Sequence, residues 1–460
     1  MRGLLCSVAL LAACGSGAAP VLHGDGVGDD TDAIQAMIDS GKGVVKLPRP
    51  AKHYLISRTL KFGSGSGLEL DADTLIRLAP DSSCPLAANA DPTGGNESIT
   101  IIGGIWDMDN VNQAPNPGWQ QLCMPPRKQI TLPERFVRGA YIGNAFYFET
   151  VKGFTFRNVT IRNPVTYALQ LCRVSDFRVE DVTFDFTSAN PVRGNMDGVH
   201  LDGGCRRGRI ARLRGACFDD MVALNANDTF CSAHEEEISD IEIEDLQADY
   251  CHSALRMLSV DAPVRRVTVR KVRGHFYAYA IGFTHYFPNR PEVGLFEDIV
   301  ISDVKVGKAP PMDENPWKAY VRNLPTFFYD ERIRLRNVKI DDFEILPPLK
   351  ELPEPFRSME GVKVSERFGF DPEDSTRFVQ AAIDAGLPEI VLDRRPTPWV
   401  VTPLKARSGL RLVFEDGAEL VAKKDAFRDT HDMVFRMQFL TNVAIVGRGP
   451  RGGTIRMRKA

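Results

Sequence analysis

A short pattern of apolar and polar positions recurs through the middle of the chain. Each copy reads apolar, any residue, apolar, two residues of any kind, apolar, any residue, and a small or apolar residue. The copies are FTFRNVTI from residue 154, FRVEDVTF from 177, GRIARLRG from 208, IEIEDLQA from 241, VTVRKVRG from 267, IVISDVKV from 299 and IRLRNVKI from 333. Alternating apolar residues are typical of a strand, and the two-residue interruption predicts a corner.

Successive copies begin 23, 31, 33, 26, 32 and 34 residues apart, so the unit is constant while its loops vary. One unit cannot bury its apolar side alone. When units stack, with neighbouring strands about 4.8 Å apart, their apolar side chains form continuous buried ladders. Because such connections are almost always right-handed, the pattern predicts an all-β, right-handed parallel β-helix. A β-sandwich is the alternative, and the scarcity of hairpin turns and the return of the same octet disfavour it.

The two ends of the chain resemble each other. Near the N-terminus, Asp30 or Thr31 can cap a helix whose apolar face predicts an N-terminal helical cap. The C-terminal region begins a partial second copy, in which the residues of the first cap return 345 positions later: Gln35, Ala36, Ile38 and Asp39 match Gln380, Ala381, Ile383 and Asp384. Either the chain is a fragment of a tandem protein, or the extra copy packs on the first solenoid and closes it.

The predicted organisation has five parts. It comprises an export signal at 1–20, a cap and first coils at 21–110, a β-helix carrying the site at 111–345, a Pro-rich linker at 346–360 and the partial repeat at 361–460. In the signal, Arg2 precedes an apolar run that is too short to span a membrane. The run ends in Leu-Ala-Ala-Cys14, which resembles the bacterial lipobox and implies a lipid anchor; ordinary cleavage a few residues later is the alternative.

The composition of the chain limits its expected location and its binding partners. No later segment has 18 unbroken apolar residues, so the expectation is an exported bacterial protein, periplasmic, secreted or tethered to the outer membrane, without a membrane span. A net charge of −3 gives no reason to expect nucleic acid. Seven cysteines remain beyond Cys6 and Cys14; one or two disulfides suit export, but no CxxC or other zinc spacing occurs. We therefore expect no metal, no cofactor and a monomer.

The strands that follow the octets bring polar residues together. Aligned with one another, they place Leu169, Val199, Val222, Leu255 and Ile281 in one inward column. Residues of the opposite parity point outward, and the corner residue before each strand lies beside them. The side chains expected in one groove are Asp197, Asp219, Asp220, His252, His200, Arg256 and the flanking tyrosine Tyr279.

Three carboxylates in one groove suggest acid–base catalysis. Asp197, Asp219 and Asp220 would repel one another, which raises the pKa of at least one, so that one keeps its proton while another is ionised. Glycoside hydrolysis needs this pair of states, an acid to protonate the leaving oxygen and a base to activate water.

NMDG from Asn195, DDMVAL from Asp219 and the N-terminal cap resemble the polygalacturonase family, glycoside hydrolase family 28, within the pectin-lyase-like β-helix superfamily. The family pattern is Asn-Thr-Asp, then Asp-Asp one coil later, then Gly-His-Gly, then Arg-Ile-Lys. The resemblance covers roughly residues 22–345. It implies a hydrolase of a pectic or related polysaccharide that inverts the anomeric configuration and uses no cofactor.

The resemblance also implies roles for single residues. Asp220 or Asp219 would be the general acid, and Asp197 with the other aspartate would activate water. Asn195 would orient the substrate or Asp197. His252 stands where the catalytic family histidine belongs, although both flanking glycines are replaced.

The Arg-Ile-Lys motif of the family is incomplete in this chain. Arg256 resembles its arginine, but it lies in the same strand as His252 and no lysine follows, so acidic, neutral and rhamnose-bearing glycans all stay open. Together with Asn195 and Arg256, His200 and Tyr279 are predicted to contact substrate.

Simpler interpretations stand beside these. Asp197 and Asp219 could bond backbone N–H groups at the coil corners, His252 could be a packing residue, and Arg256 could belong to a structural ion pair. Two other functions use the same fold: a polysaccharide lyase, which would need calcium or a basic residue, and a non-catalytic glycan-binding or adhesion solenoid.

Overall fold

The computed structural model of the protein describes residues 21–40, 43–114, 143–186, 194–228, 234–287, 289–311, 318–352, 362–385, 389–428, 433–438, 440–441 and 443–457. Parallel strands dominate these ranges. The α-helices within them are α1 (Thr31–Ser40), α2 (Lys318–Asn323), α3 (Val364–Arg367) and α4 (Thr376–Asp384), and a short 3-10 helix spans Asn110–Asn112.

The strands are numbered along the chain. Those of the main body are β1 (Gly43–Lys46), β2 (Tyr54–Ile56), β3 (Leu60–Phe62), β4 (Ser66–Glu69), β5 (Leu75–Leu78), β6 (Ala87–Asn89), β7 (Asn96–Ile102), β8 (Ile105–Asp107), β9 (Phe146–Glu149), β10 (Val151–Arg157), β11 (Thr160–Arg162), β12 (Leu169–Cys172), β13 (Ser175–Asp185), β14 (Val199–Asp202), β15 (Arg206–Ala216), β16 (Asp220–Asn225), β17 (Ile238–Cys251), β18 (Ser253–Leu258), β19 (Val264–Phe276), β20 (Ile281–Thr284), β21 (Gly294–Lys308), β22 (Phe327–Tyr329), β23 (Ile333–Ile340) and β24 (Phe343–Ile345). Those of the C-terminal region are β25 (Val362–Lys363), β26 (Glu389–Leu392), β27 (Trp399–Val401), β28 (Leu404–Lys405), β29 (Arg411–Phe414), β30 (Glu419–Ala422), β31 (Phe435–Arg436), β32 (Ala444–Gly447) and β33 (Thr454–Arg456).

Two long parallel sheets form the main body. The larger runs in the order β1, β4, β7, β10, β13, β15, β17, β19, β21 and β23, with β2, β5, β8, β11 and β24 joined to it. The other runs in the order β3, β6, β9, β12, β14, β16, β18, β20 and β22. Neighbouring strands come from successive coils, so the predicted right-handed parallel β-helix is confirmed.

The octets fold as strand, corner, strand. Their inward positions stack from coil to coil without a break, and all six members of one such ladder are buried: Phe156, Val179, Ile210, Ile243, Val269 and Ile301. Burying an aliphatic or aromatic side chain contributes about 1.5–3 kcal/mol. The ladder therefore supplies much of the driving force that stacks the coils.

The corner is one residue in the left-handed backbone region. The fifth residue of each of the first six octets has a φ between 54° and 62°: Asn158, Asp181, Arg212, Asp245, Lys271 and Asp303. This conformation turns the second strand away from the first. Asn and Asp adopt it more readily than other residues with a Cβ, which explains why they fill four of these six places.

The last predicted octet is out of register. Ile333 pairs with Gly294, and Ile299 instead pairs with Val338, so the seventh unit is VKIDDFEI from Val338, five residues later than the pattern suggested. Its corner residue is Asp342, with a φ of 50°. The stretch from 333 to 345 matches the apolar pattern in two overlapping frames, and only hydrogen bonding to β21 selects one of them.

The cap and its partial copy share local structure. In the first, the side chain of Gln35 donates to the backbone oxygen of Lys61 at 2.9 Å and accepts from its N–H at 2.8 Å. In the second, Gln380 makes the same two bonds with Lys405, at 3.1 and 2.9 Å. The C-terminal region also has an apolar core of its own. The matching bonds of Gln35 and Gln380 agree with a partial repeat, which stays a prediction.

The predicted domain limits stay predictions. The segment 1–20 with Cys6 and Cys14 lies outside the described residues, as do Cys123 and Cys231. The linker at 346–360 is described only as far as residue 352. In the part of the chain that is described, no disulfide joins any two of Cys84, Cys172, Cys205, Cys217 and Cys251.

Candidate active site

The smaller sheet positions the predicted site. Leu169, Val199, Val222, Leu255 and Ile281 pair in that order along β12, β14, β16, β18 and β20, and all five are buried, so the predicted inward column is confirmed. Asp220 and Ser253 are partners at the starts of β16 and β18. Asp219 and His252 precede these strands at the corner. The coil stacking therefore brings residues that are distant in sequence to one place.

Asp219, Asp220 and His252 form a tight cluster, in which one donor atom from each lies within 4.8 Å of the others. The Nδ1 atom of His252 is 3.1 Å from Oδ1 of Asp220 and 3.5 Å from Oδ1 of Asp219. The hydroxyl of Ser253 donates to the same Asp220 oxygen at 2.6 Å. The backbone N–H of Asp220 donates to Oδ1 of Asp197 at 3.3 Å, which joins the third carboxylate to the cluster.

The cluster is less open than the sequence suggested. The side chains of Asp197 and Asp220 are 4% and 0% exposed. Those of Asp219, His252 and Arg256 keep 22%, 20% and 17% of their surface. Solvent therefore reaches the site at the Asp219 side, and Asp197 and Asp220 lie beneath it.

The two adjacent aspartates have opposite pKa shifts. Burial, reinforced by the negative charge of Asp220, raises the pKa of Asp219 to about 7. Burial would also raise the pKa of Asp220, but the hydrogen bond with His252 and the charges of His252 and Arg256 hold it below its usual value. Burial raises the pKa of Asp197 against the opposing bond from His200. Near neutral pH, the site therefore contains both a protonated and an ionised carboxyl group.

His200 is enclosed between two aspartates. Its Nδ1 atom lies 2.6 Å from Oδ2 of Asp197 and its Nε2 atom 3.3 Å from Oδ1 of Asp202, and the ring stacks on Tyr167 at 3.9 Å. Burial opposes the charged imidazolium, but Asp202 and Asp197 raise the pKa of His200 to about 10. With 1% of its surface exposed, His200 reaches the rest of the site through Asp197.

Asp202 was missed in the sequence. It is fully buried, and one of its carboxylate oxygens accepts a hydrogen bond from Gln170 at 2.6 Å. The sequence did contain a clue to Asp202: it lies two residues after His200 on β14, so the two side chains point to the same outward face of the strand.

Arg256 lies between two carboxylates. Its Nη1 atom is 3.6 Å from Oδ2 of Asp220 and its Nη2 atom 3.8 Å from Oδ2 of Asp228, while its guanidinium group lies over the ring of Tyr286 at 5.4 Å. Burial would lower the pKa of Arg256, but the charge of Asp220 raises it, so the side chain stays charged. Asp228 was also missed; it follows β16 in the turn after DDMVAL.

The remaining predicted contacts differ in accessibility. Asn195, at a φ of 56°, directs its backbone N–H to Oδ2 of Asp219 at 2.9 Å. Tyr279 is only 5% exposed, and its ring packs edge-on against His252 at 5.3 Å. Three other tyrosines offer exposed rings in the coils beyond the site: Tyr286, Tyr320 and Tyr329.

Two groups of side chains in the described residues have donor atoms close enough to share a metal ion. One is the cluster of Asp219, Asp220 and His252. The other contains Glu149, Cys172 and His234; Cys172 on β12 and Glu149 on β9 lie two and three strands away from β16 in the smaller sheet. None of the helices in the described ranges is long and apolar enough to cross a membrane.

No protein-family model and no curated protein sequence matches the chain. Among solved structures, it is similar to the polygalacturonase from Erwinia carotovora ssp. carotovora, with 13% identity, 94% of each chain covered and a TM-score of 0.47. A family 28 exopolygalacturonase from Yersinia enterocolitica shows 14% identity over 92% of this chain and 76% of that one, with a TM-score of 0.45. PfbA, a surface adhesin of Streptococcus pneumoniae, shows 13% identity over 95% and 90%, also with a TM-score of 0.45.

Proposed function

We propose that the protein is a glycoside hydrolase that cleaves a polysaccharide with a pair of carboxyl groups. The observation that carries this proposal is the cluster of Asp219, Asp220 and His252, in which Asp220 is buried and bonded to His252 and Ser253 while Asp219 stays partly exposed. Asp219, with a pKa of about 7 and a partly exposed side chain, suits a general acid. Asp220, whose pKa is depressed, suits a general base.

In the proposed reaction, Asp219 gives its proton to the glycosidic oxygen as the bond from that oxygen to the anomeric carbon breaks. A water molecule attacks the anomeric carbon and passes its proton to Asp220, supported by Asp197. The Oδ2 atom of Asp220 accepts no hydrogen bond from the described residues and lies 3.6 Å from Nη1 of Arg256. Because this oxygen is buried, the attacking water has to enter past the partly exposed Asp219 to reach it. The reaction restores both carboxyl groups once the two protons exchange with solvent.

Five residues would hold these groups in place. His252 and Ser253 fix one oxygen of Asp220, and Arg256 lies 3.6 Å from the other, which would accept the proton of the attacking water. His200 orients Asp197 from below, and Asn195 holds Asp219 through its backbone N–H. Tyr279 would act through the His252 ring that it packs against.

The stereochemical outcome is a separate proposal. The family resemblance favours inversion of configuration, for which carboxyl groups usually lie about 6.5–9.5 Å apart. Asp219 and Asp220 have oxygens within 4.8 Å, so the spacing of this pair alone does not favour inversion. Proton NMR of the first anomer released decides: we expect the inverted anomer, and the retained one would assign Asp220 or Asp197 as a nucleophile.

The substrate proposed is a pectic or related glycan. The positive charge of Arg256 is already matched by Asp220 and Asp228, so an acidic sugar is not required to neutralise it. The exposed ring of Tyr286, beside Arg256, offers a flat apolar surface for a sugar ring. Both features fit neutral as well as acidic glycans.

The test is a reducing-end release screen over pectic, rhamnogalacturonan and neutral glycans. We expect Asp219→Asn and Asp220→Asn each to lower turnover about 10²–10⁴-fold, because each removes a proton-transfer group. Asp176→Asn, an exposed aspartate on the outer face, serves as the matched control and should keep full activity. Full turnover in both site variants would favour a glycan-binding solenoid, and a calcium-dependent unsaturated product would favour a lyase.

We also propose that the chain is exported and acylated at Cys14, on the strength of the signal-like N-terminus alone. The mass of the mature N-terminal peptide tests it. A diacylglyceryl Cys14 supports the proposal, and cleavage after Ala18 or Ala19 refutes the lipid anchor.

A further inference from the structure

A second cluster of metal-type donors lies on the smaller sheet, away from the three aspartates. Glu149 ends β9 and Cys172 ends β12, and the two residues are direct partners across these strands. His234 reaches them from the chain before β17, and its Nε2 atom lies 2.6 Å from Oε1 of Glu149. The thiol, the imidazole and the carboxylate have donor atoms within 4.8 Å of one another.

We propose that Glu149, Cys172 and His234 bind one zinc-type divalent ion. A thiolate, an imidazole and a carboxylate are the ligands that Zn²⁺ takes in proteins, whereas calcium and magnesium select oxygen alone. The cluster is also reachable: the side chains of His234 and Glu149 are 20% and 21% exposed, while Cys172 is fully buried beneath them. An ion would enter from the exposed side and meet the sulfur at the bottom.

Surrounding groups fix the orientation of these ligands. The hydroxyl of Tyr147 donates to Oε2 of Glu149 at 2.6 Å, which leaves the other carboxylate oxygen toward His234. The side chain of Asn89 bonds both the backbone N–H and the backbone oxygen of Glu149, each at 2.9 Å. On the far side, Nδ1 of His234 lies 3.9 Å from Glu236. Such supporting contacts are typical of metal ligands, because they fix ring orientation and carboxylate direction.

The proposal departs from the sequence-based expectation of no metal. That expectation rested on the absence of closely spaced cysteine and histidine pairs. Here the three ligands come from three different coils, and only the stacking of β9 on β12 brings the first two together.

The experiment titrates the full-length protein, stripped of metal, with Zn²⁺ by calorimetry and measures bound zinc after dialysis. We expect one zinc per chain and a higher melting temperature, because a ligand that binds only the folded state stabilises it. Cys172→Ser and His234→Ala should abolish this binding. Tyr147→Phe should weaken it about 10–100-fold, as loss of a supporting contact does. Turnover is not part of the readout, so the result is independent of the proposed hydrolase.

Cys205→Ser is the matched control, since Cys205 is another buried thiol on the neighbouring coil and its sulfur donates to the backbone oxygen of Leu171. It should bind zinc like the wild type. Substitution with Co²⁺ adds a check, because a thiolate-to-metal absorption band should appear and Cys172→Ser should remove it. Three results would overturn the proposal: no binding in excess zinc, equal binding by the wild type and His234→Ala, or Cys172 found in a disulfide by peptide mapping.

Discussion

At the residue scale, the site shows how two aspartate side chains acquire different protonation states. Asp219 and Asp220 are neighbours in the chain and both are largely covered, yet only Asp220 receives the hydroxyl of Ser253 and the closer contact with His252. Hydrogen bonds and nearby positive charges stabilise the charged form of a carboxylate, whereas burial stabilises the neutral form. Asp219 accepts one backbone N–H, from Asn195, and for this residue burial prevails. The difference follows from chain parity, because Asp220 starts a strand while Asp219 lies at the corner before it.

This difference predicts a pH profile. Because the pKa of Asp219 is raised to about 7, its carboxyl group keeps the proton needed for general acid catalysis below that pH and loses it above. We expect kcat/KM to fall about tenfold per pH unit above roughly pH 7. Because its pKa is depressed, Asp220 stays ionised below the usual aspartate range, so the acidic limb of the profile should also lie below that range.

An aryl glycoside provides the control substrate. Its leaving group departs readily, so the glycosidic oxygen needs little protonation. Asp219→Asn should lose far less activity on it than on the polysaccharide, and the alkaline limb should disappear. Equal losses on both substrates would remove Asp219 from the role of general acid.

At the element scale, the corner residue decides where each octet bends. The apolar pattern marks the octets, but the left-handed residue fixes the angle between the two strands. Asn158 occupies such a corner with a φ of 58° and an exposed side chain, and its N–H donates to the backbone oxygen of Glu180 at 3.1 Å. Its side chain can therefore be changed with little loss of packing.

Asn158→Val should lower the free energy of unfolding by about 1–2 kcal/mol, because a β-branched residue is strained in the left-handed region. Asn158→Gly should be close to neutral, since glycine adopts this region without strain. Lys152→Val, at an exposed position within β10, is the matched control and should change stability by less than about 0.5 kcal/mol. Chemical denaturation measures all three, and a Val variant at position 158 as stable as the wild type would contradict the role of the corner.

At the scale of the whole molecule, the C-terminal copy contacts the first solenoid. Arg367 on α3 donates a hydrogen bond to Asp109, which follows β8, and the two side chains are only 15% and 9% exposed. Burial lowers the pKa of Arg367, although Asp109 and Asp107 oppose this shift. The contact favours the interpretation in which the second copy packs on the first solenoid.

Arg367→Ala should therefore destabilise the protein by about 1–3 kcal/mol, because it leaves the buried Asp109 without its charged partner. Arg411→Ala is the comparison, since Arg411 forms an exposed ion pair with Glu389 inside the C-terminal region and should cost about 0–1 kcal/mol. Thermal unfolding measured on both variants checks this. Equal shifts would show that the Arg367 contact adds nothing to the joining of the two parts.

The sequence by itself determined the solenoid and the grouping of the candidate site. Apolar periodicity is a local property, so the octets, the inward column through Val199 and Val222, and the approach of Asp197 to Asp220 could all be predicted from it. The last octet could not, because two frames fitted equally well and only pairing with β21 chose Val338.

Tertiary structure alone decided which side chains are covered and what surrounds them. The burial of His200, its second partner Asp202, the contact of Arg256 with Asp228 and the meeting of Cys172 with His234 depend on loops of irregular length. Desolvation and hydrogen bonding depend on atoms from several coils at once, and no pattern along one strand contains that information. The chain thus specified where its carboxylates meet, whereas the packed coils decided which of them keeps its proton.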